Sequence, residues 1–273
     1  GNLYVLADAR KTGADIDVVI QKYSATLSKT WQTFYNSSNS KDDAGLQLID
    51  GPNNGVLVSM ISFEDGAVVN YAKSNGNLLS STLYNNGALS RETIRKIIYS
   101  GGSVYIAGKN ANMAGTNSDM FIARYDSNLV QVWNKVFEAS GNTLPDEVID
   151  MNADAAGDIL VVGNYAPSAG NISVFYTKYN DANGSRLWLR RLTNLGITAT
   201  SVFADASSNV ISVTNGSPNR YVNLNGSSGA VISNKGIFNA GIVAYEITDV
   251  KSSGNDLFVT GNLDSISASL PQH

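Results

Sequence analysis

Gly1-Asn2-Leu3-Tyr4-Val5-Leu6 opens the chain, and the phrase returns five times. The later copies are Gly55-Val56-Leu57-Val58-Ser59, Gly102-Ser103-Val104-Tyr105-Ile106-Ala107-Gly108, Gly157-Asp158-Ile159-Leu160-Val161-Val162-Gly163, Ser208-Asn209-Val210-Ile211-Ser212-Val213 and Gly254-Asn255-Asp256-Leu257-Phe258-Val259-Thr260-Gly261. The aligned residues Tyr4, Leu57, Tyr105, Leu160, Ile211 and Phe258 are 53, 48, 55, 51 and 47 apart. Each copy is a run of β-branched and aromatic residues bounded by turn formers, which reads as a strand. Short strands at a near-fixed period of about fifty residues mark a repeat array whose units bury their faces on one another. A β-propeller meets that requirement.

Working outward from this strand, here B, each repeat reads as four strands, A to D. Strand C follows a loop, as in Asp17–Tyr23, Ala67–Tyr71, Asp119–Tyr125, Ser173–Tyr179 and Arg220–Leu224. Strand D lies eight or nine residues beyond the last residue of C, with Trp31, Leu79, Trp133, Trp188 and Ile232 read as equivalent. Strand A leads into the next copy: Gly45–Ile49, Thr93–Ile98, Glu147–Met151, Thr200–Ala204 and Glu246–Val250. Alternation of period two, as in Phe121, Ala123 and Tyr125 against Ile122 and Arg124, predicts strands throughout and no helix.

The expected fold is therefore all-β: a β-propeller of four-stranded antiparallel blades, five to six in number, with six favoured. The repeats fall at 1–54, 55–101, 102–156, 157–207, 208–253 and a partial 254–273, in a single propeller domain. Six B strands against five each of A, C and D predict truncated ends, or ends mixed to close the ring. Aromatic residues at C and D, including Tyr23, Tyr71, Tyr125 and Tyr179, are expected to fill the space between blades.

Composition narrows the function. Hydrophobic residues make 43% of the 273, and charged residues only 15%. Asn, Ser, Thr and Gly carry the polar share, and there is no cysteine, which suits an exported bacterial domain: periplasmic, cell-surface or extracellular. The net charge of −4 comes without any basic run, so no nucleic-acid partner is expected. No apolar run is long enough for a membrane span and no signal peptide is read in the chain, so a secretion signal or lipid anchor would lie outside it. A monomer is expected. The only histidine is His273, so a Ser-His-Asp triad, a Cys nucleophile and a His-built metal site are excluded.

These stretches resemble the secreted bacterial β-propeller repeat family, whose repeats run roughly A-x-D-x-x-G-N-x-Y-V-x-G, then D-x-F-V-x-K-Y-D-x-x-G, then a Trp or aliphatic strand. Asn152-Ala153-Asp154 with Gly157 to Gly163, Lys251 to Gly261, and Asp119 to Asp126 carry the likeness. The second repeat lacks the closing Gly, and the fifth lacks the Asp and Lys of strand C. The resemblance implies the fold and an exported setting. It implies no activity, because propellers host many.

Three motifs could carry chemistry, and each also has a plain structural reading. Asp150–Asp158 resembles an oxygen-ligand calcium loop, but its glycine is a residue late and no bidentate Glu follows, so an A–B turn with an Asx cap is preferred. Asn180–Trp188 resembles the tryptophan-docking turn of quinoprotein dehydrogenases and the Asp-box turn of sialidases, both of them structural elements. Asp42-Asp43, Glu64-Asp65 and Asp146-Glu147 are the acid pairs open to glycoside chemistry. No metal and no cofactor is expected.

B–C and D–A connections emerge at one end of a meandering blade and are the longer ones, at 9–16, 109–118, 36–44, 138–146 and 236–244. Function concentrates on such loops. The expected activity is non-catalytic binding of a protein or carbohydrate ligand there, through Arg10, Lys11, Asp15, Lys41, Asp42, Arg91, Glu92, Lys109, Asn110 and Asn112. The alternatives are a carboxylate-based carbohydrate-active enzyme and a structural spacer of a larger surface protein.

Overall fold

The computed structural model describes residues 1–10, 15–37, 41–62, 65–85, 90–112, 118–139, 144–192, 196–237, 245–253 and 256–263. The chain divides into two compact units, Gly1–Glu138 and Ala139–His273. All described secondary structure is strand.

In the first unit, β1 (Leu3–Ala9), β2 (Asp17–Tyr23) and β3 (Lys29–Tyr35) form a three-stranded sheet. The second sheet is β4 (Asp43–Gly51), β5 (Gly55–Ser62), β6 (Asp65–Ala72) and β7 (Leu78–Tyr84). The third is β8 (Ser90–Ser100), β9 (Ser103–Asn112), β10 (Ser118–Tyr125) and β11 (Gln131–Phe137).

The second unit holds two four-stranded sheets and a two-stranded one. The first comprises β12 (Glu147–Ala153), β13 (Ile159–Tyr165), β14 (Ser173–Tyr179) and β15 (Arg186–Arg191). The next comprises β16 (Thr198–Ala204), β17 (Val210–Asn215), β18 (Arg220–Leu224) and β19 (Val231–Gly236). β20 (Tyr245–Ser253) and β21 (Asp256–Leu263) pair only with each other. Every sheet is an antiparallel meander in chain order, and the four complete ones reproduce the A-B-C-D reading.

In the complete sheets the middle strands B and C are largely buried on both faces, because sheets within a unit pack on one another, whereas β1 at a sheet edge is not buried. All seven residues of β13 and of β14 are buried, which explains the unbroken apolar run Ile159–Val162. Outer D strands instead alternate, with Trp133 and Phe137 buried in β11 between exposed neighbours. Val18, Ile20, Val58, Met60 and Val69 join the first two sheets. Tyr84 and Phe121 stack at 3.9 Å between the second and third. Tyr176, Trp188, Val202 and Val222 are among the residues joining the two complete sheets of the second unit.

The sequence alignment of strand D is corrected at two repeats. Lys22, Arg124 and Lys178 face Trp31, Trp133 and Trp188 across the C–D ladder. In the other repeats Asn70 faces Ser80, and Asn223 faces Ser233. Leu79 and Ile232 are therefore one residue out of step with the tryptophans, and they are 43% and 55% exposed. A shift of one residue exchanges the two faces of a strand.

One irregularity recurs in every A strand. The A–B register skips Leu46, Arg95, Ile149, Thr200 and Thr248, each a β-bulge at the same repeat position. The residue before the bulge faces the last position of the repeat phrase: Gly108, Gly163 and Gly261 oppose Ile94, Val148 and Ile247. A Cβ on those glycines would lie 2.0, 2.1 and 2.2 Å from the carbonyl oxygens of Thr93, Glu147 and Glu246. That close approach is why the phrase closes on Gly. In the second repeat, where Met60 replaces it, the facing A-strand residue is Gly45. The small residue has changed strands.

Candidate functional site

The B–C and D–A connections share one end of each sheet. There the sequence places side-chain acceptors against backbone donors of the following sheet. Asp8, Asn164 and Asn215 stand at one position of strand B. They accept the amides of Gly45, Ala199 and Ile247 at 2.8, 2.8 and 2.7 Å, each donor being the residue just before a bulge. Asn215 also donates to the Ile247 carbonyl at 3.0 Å. The residue after the bulge makes a second tie. Gln47 Oε1 accepts Ile97 N at 3.0 Å, and Asp150 Oδ2 accepts Val202 N at 2.9 Å. A strands form sheet edges, so these side chains satisfy amides that no ladder partner reaches. The sequence reading missed these residues. Their signal was a polar side chain four beyond the aligned residue of the phrase: Asp8, Asn164, Asn215 and also Asn262.

The anticipated binding residues divide. Arg10, Lys41, Asp42 and Arg91 are exposed, and Lys11 lies outside the described residues. Asp42 also serves the scaffold, accepting Ile16 N at 2.8 Å. Asp15 accepts Asn36 Nδ2 at 3.5 Å. Arg91, Glu92, Lys109, Asn110 and Asn112 stand on β8 and β9 rather than in a loop, because that hairpin runs to the pair Ser90–Asn112. Glu92, opposite Asn110, is fully buried and offers nothing to a surface ligand.

The acid pairs are likewise built into the scaffold. Asp43 Oδ2 accepts Ser37 N at 2.7 Å, and Asp146 Oδ2 accepts Ala139 N at 2.8 Å, each closing a D–A connection. Glu147 Oε1 accepts Asn164 Nδ2 at 3.2 Å. Asp65 takes Asn85 Nδ2 on both oxygens, at 3.1 and 3.2 Å, while Glu64 lies outside the described residues. Among the described residues no three His, Cys, Asp or Glu side chains converge as metal ligands.

At the opposite end, Asp154 Oδ1 accepts Ala156 N and Asp158 N at 2.9 and 3.0 Å, and Asp205 Oδ1 does the same for Ser207 and Asn209. The A–B segment is the Asx turn preferred over a calcium loop. Buried Lys178 lies 2.6 Å from Asp154 and 3.2 Å from Asp158, and donates to the Gly226 carbonyl of the next sheet at 3.4 Å. Burial works against its charge, but the two carboxylates together outweigh that and hold the ammonium above its ordinary value. The Lys of the repeat pattern thus ties a strand to its own A–B turn and to the next sheet. Trp188 Nε1 donates to the same carbonyl at 3.0 Å, and Trp31 Nε1 to that of Lys73 at 3.1 Å. Both tryptophans thus serve to hold one sheet to the next.

Comparison with solved structures decides the fold. The chain matches the Dos1 propeller with a TM-score of 0.59 at 13% identity over 90% of this chain. The fold is a β-propeller. A protein of unknown function from Bacteroides caccae matches with a TM-score of 0.51 at 12% identity, over 94% of this chain and 81% of that one. A europium-containing methanol dehydrogenase matches with 0.58 at 10% identity over 88% of this chain. This propeller chain spans 62% of the Dos1 propeller and 50% of the dehydrogenase. No family model and no curated protein matches it. Among the described residues of the propeller, no helix is long and apolar enough to cross a membrane.

Proposed function

We propose that the chain is an exported, non-catalytic β-propeller of the secreted bacterial repeat type that binds a protein or glycan ligand at the B–C and D–A end of its blades. One observation carries the reading. At that end the described carboxylates of the acid pairs each accept a backbone or side-chain donor, while exposed Arg10, Lys41 and Arg91 occupy positions that do not repeat. Non-repeating exposed side chains on a repeating frame serve recognition rather than folding.

The test is an array of bacterial and plant polysaccharides, with each bound glycan then incubated with the chain and assayed for new reducing ends. Binding without release is the expected result. Release of reducing ends would replace this reading with the carboxylate enzyme, and a chain that binds nothing on glycan or protein arrays would leave the spacer.

A further inference from the structure

Asp17 opens β2 and Asp43 opens β4, and the backbone brings them side by side. Asp43 N donates to the Ile16 carbonyl at 2.8 Å, while Ile16 N donates to Asp42 Oδ1 at 2.8 Å. Both side chains face inward, at 2% and 1% exposure. Ser37 N occupies Asp43 Oδ2, but Asp43 Oδ1 and Asp17 Oδ1 are buried with no hydrogen-bond partner. Burial raises the Asp43 carboxyl above its ordinary value against the lowering effect of hydrogen bonds from Ser37 and the Ser62 hydroxyl, and repulsion from Asp17 adds a smaller rise. Two neighbouring buried carboxylates with an open oxygen each are costly unless something positive lies between them.

The repeat shows that the two acids belong together. Asp17, Asp65, Asp119 and Ser173 are equivalent, each six residues before Tyr23, Tyr71, Tyr125 and Tyr179. Asp43, Glu92, Asp146 and Ile197 are equivalent, each two before the residue that precedes the bulge. Successive repeats therefore carry both acids three times and neither once the first is Ser. Asp65 gives both oxygens to Asn85, which leaves the ion to the Asp17–Asp43 pair.

We infer that Asp17 and Asp43 hold a hard divalent cation, calcium in class, between the first two sheets. Among the described residues, hydroxyl oxygens stand beside the two acids. Ser62 stands opposite Asp43 in the ladder, with Tyr35 Oη 3.3 Å from its Oγ. Asp8, Asp15, Asp42 and Asp65 share this end of the two sheets and add negative potential, against exposed Arg10 and Lys41. Two carboxylates completed by hydroxyl, carbonyl and water oxygens make a site of low charge, with an expected dissociation constant of about 10⁻⁴ to 10⁻³ M. The inference stands apart from ligand recognition at the loops.

Calorimetric titration of Ca²⁺ into the chelator-treated chain tests it. One site is expected. Asp17→Asn and Asp43→Asn should each weaken it by more than about tenfold, as loss of a direct ligand exceeds loss of a supporting one. Asp256→Asn should leave it unchanged. Absence of binding up to about 10 mM, beyond the weakest calcium modules, would overturn the inference in favour of a shared proton, as would Asn variants that bind like the parent. If either variant fails to fold, Tb³⁺ soaked into crystals of the parent gives the answer. An anomalous peak between Asp17 and Asp43 is expected, and a peak elsewhere or none contradicts the site.

Discussion

The indole of Trp188 lies so close over Gly229 of the next sheet that a Cβ there would sit 2.7 Å from its Cε3. Trp31 repeats the relationship on Gly76, at 2.8 Å. Both glycines have positive φ, +66° and +75°, so two independent demands fix the same residue. Gly229→Ala is expected to cost about 3 kcal/mol, through strain and displacement of the ring. Trp188→Phe, which keeps an aromatic ring but loses part of the indole and the Nε1 bond to Gly226, should cost about 1 to 2 kcal/mol. Urea unfolding of the two variants measures the difference, and equal losses would contradict the packing argument.

Gly163 and Gly157 separate close approach from backbone conformation. Gly163 faces the Glu147 carbonyl, which cannot yield as a side chain could. Gly157 has φ +88° with nothing within 4 Å of its missing Cβ. Gly163→Ala should destabilise by about 3 kcal/mol, and Gly157→Ala by about 1 kcal/mol from φ alone. A reversed order in thermal melts would refute the account of the repeat's closing glycine.

Lys178 links a strand to its turn and to the following sheet through one ammonium. Lys178→Met leaves Asp154 and Asp158 without their cation, and a broken buried pair costs about 3 to 5 kcal/mol. The variant should unfold at much lower denaturant, while the exposed Lys251, changed in the same way, has little effect.

Alkali should unfold the protein cooperatively. The raised Lys178 value means its contribution is complete below the unfolded lysine value and is lost as pH rises through the folded one. Burial pushes the Tyr71, Tyr125 and Tyr179 hydroxyls up to about 12, and those of Tyr84 and Tyr176 higher still. Unfolded tyrosines ionise near 10, so stability falls from about pH 10 upward. Phenolate absorbance should therefore rise together with loss of far-ultraviolet dichroism. Independent titration of all tyrosines in a folded chain would contradict the burial assigned to them.

The Asp150 tie is expected to matter more than its surface position in sequence suggests. Asp150→Ala strands the Val202 amide at a sheet edge and should cost about 1 to 3 kcal/mol. Hydrogen exchange at Val202 should accelerate relative to its neighbours, and unchanged exchange there would rule out the tie.

Strand identity and order were legible because most strands are apolar or alternating runs closed by turn residues, so the 21 described strands fall in runs read from sequence. The bulges were not, since an unpaired residue such as Ile149 leaves no mark on composition and shows only in the ladder. The same limit put Leu79 and Ile232 in register with tryptophans, because spacing in a turn can change by one without altering its chemistry. Glu92 looked like a loop residue beside Arg91, yet the strand's pleat turns one outward and the other inward. The acid pairs drew attention for catalysis, yet Asp43, Asp65, Asp146 and Glu147 each accept a backbone or side-chain donor of the scaffold, which composition cannot show.

The central claim is that recognition belongs to the B–C and D–A end. Its most direct measurement compares affinity for an array-identified glycan or protein between two multiple variants of equal stability. One replaces Arg10, Lys41 and Arg91 with alanine, and the other replaces exposed Ser74 and Asn128 in the C–D turns of the opposite end. Loss of binding in the first variant alone is the predicted result, and loss in the second with retention in the first would contradict the claim.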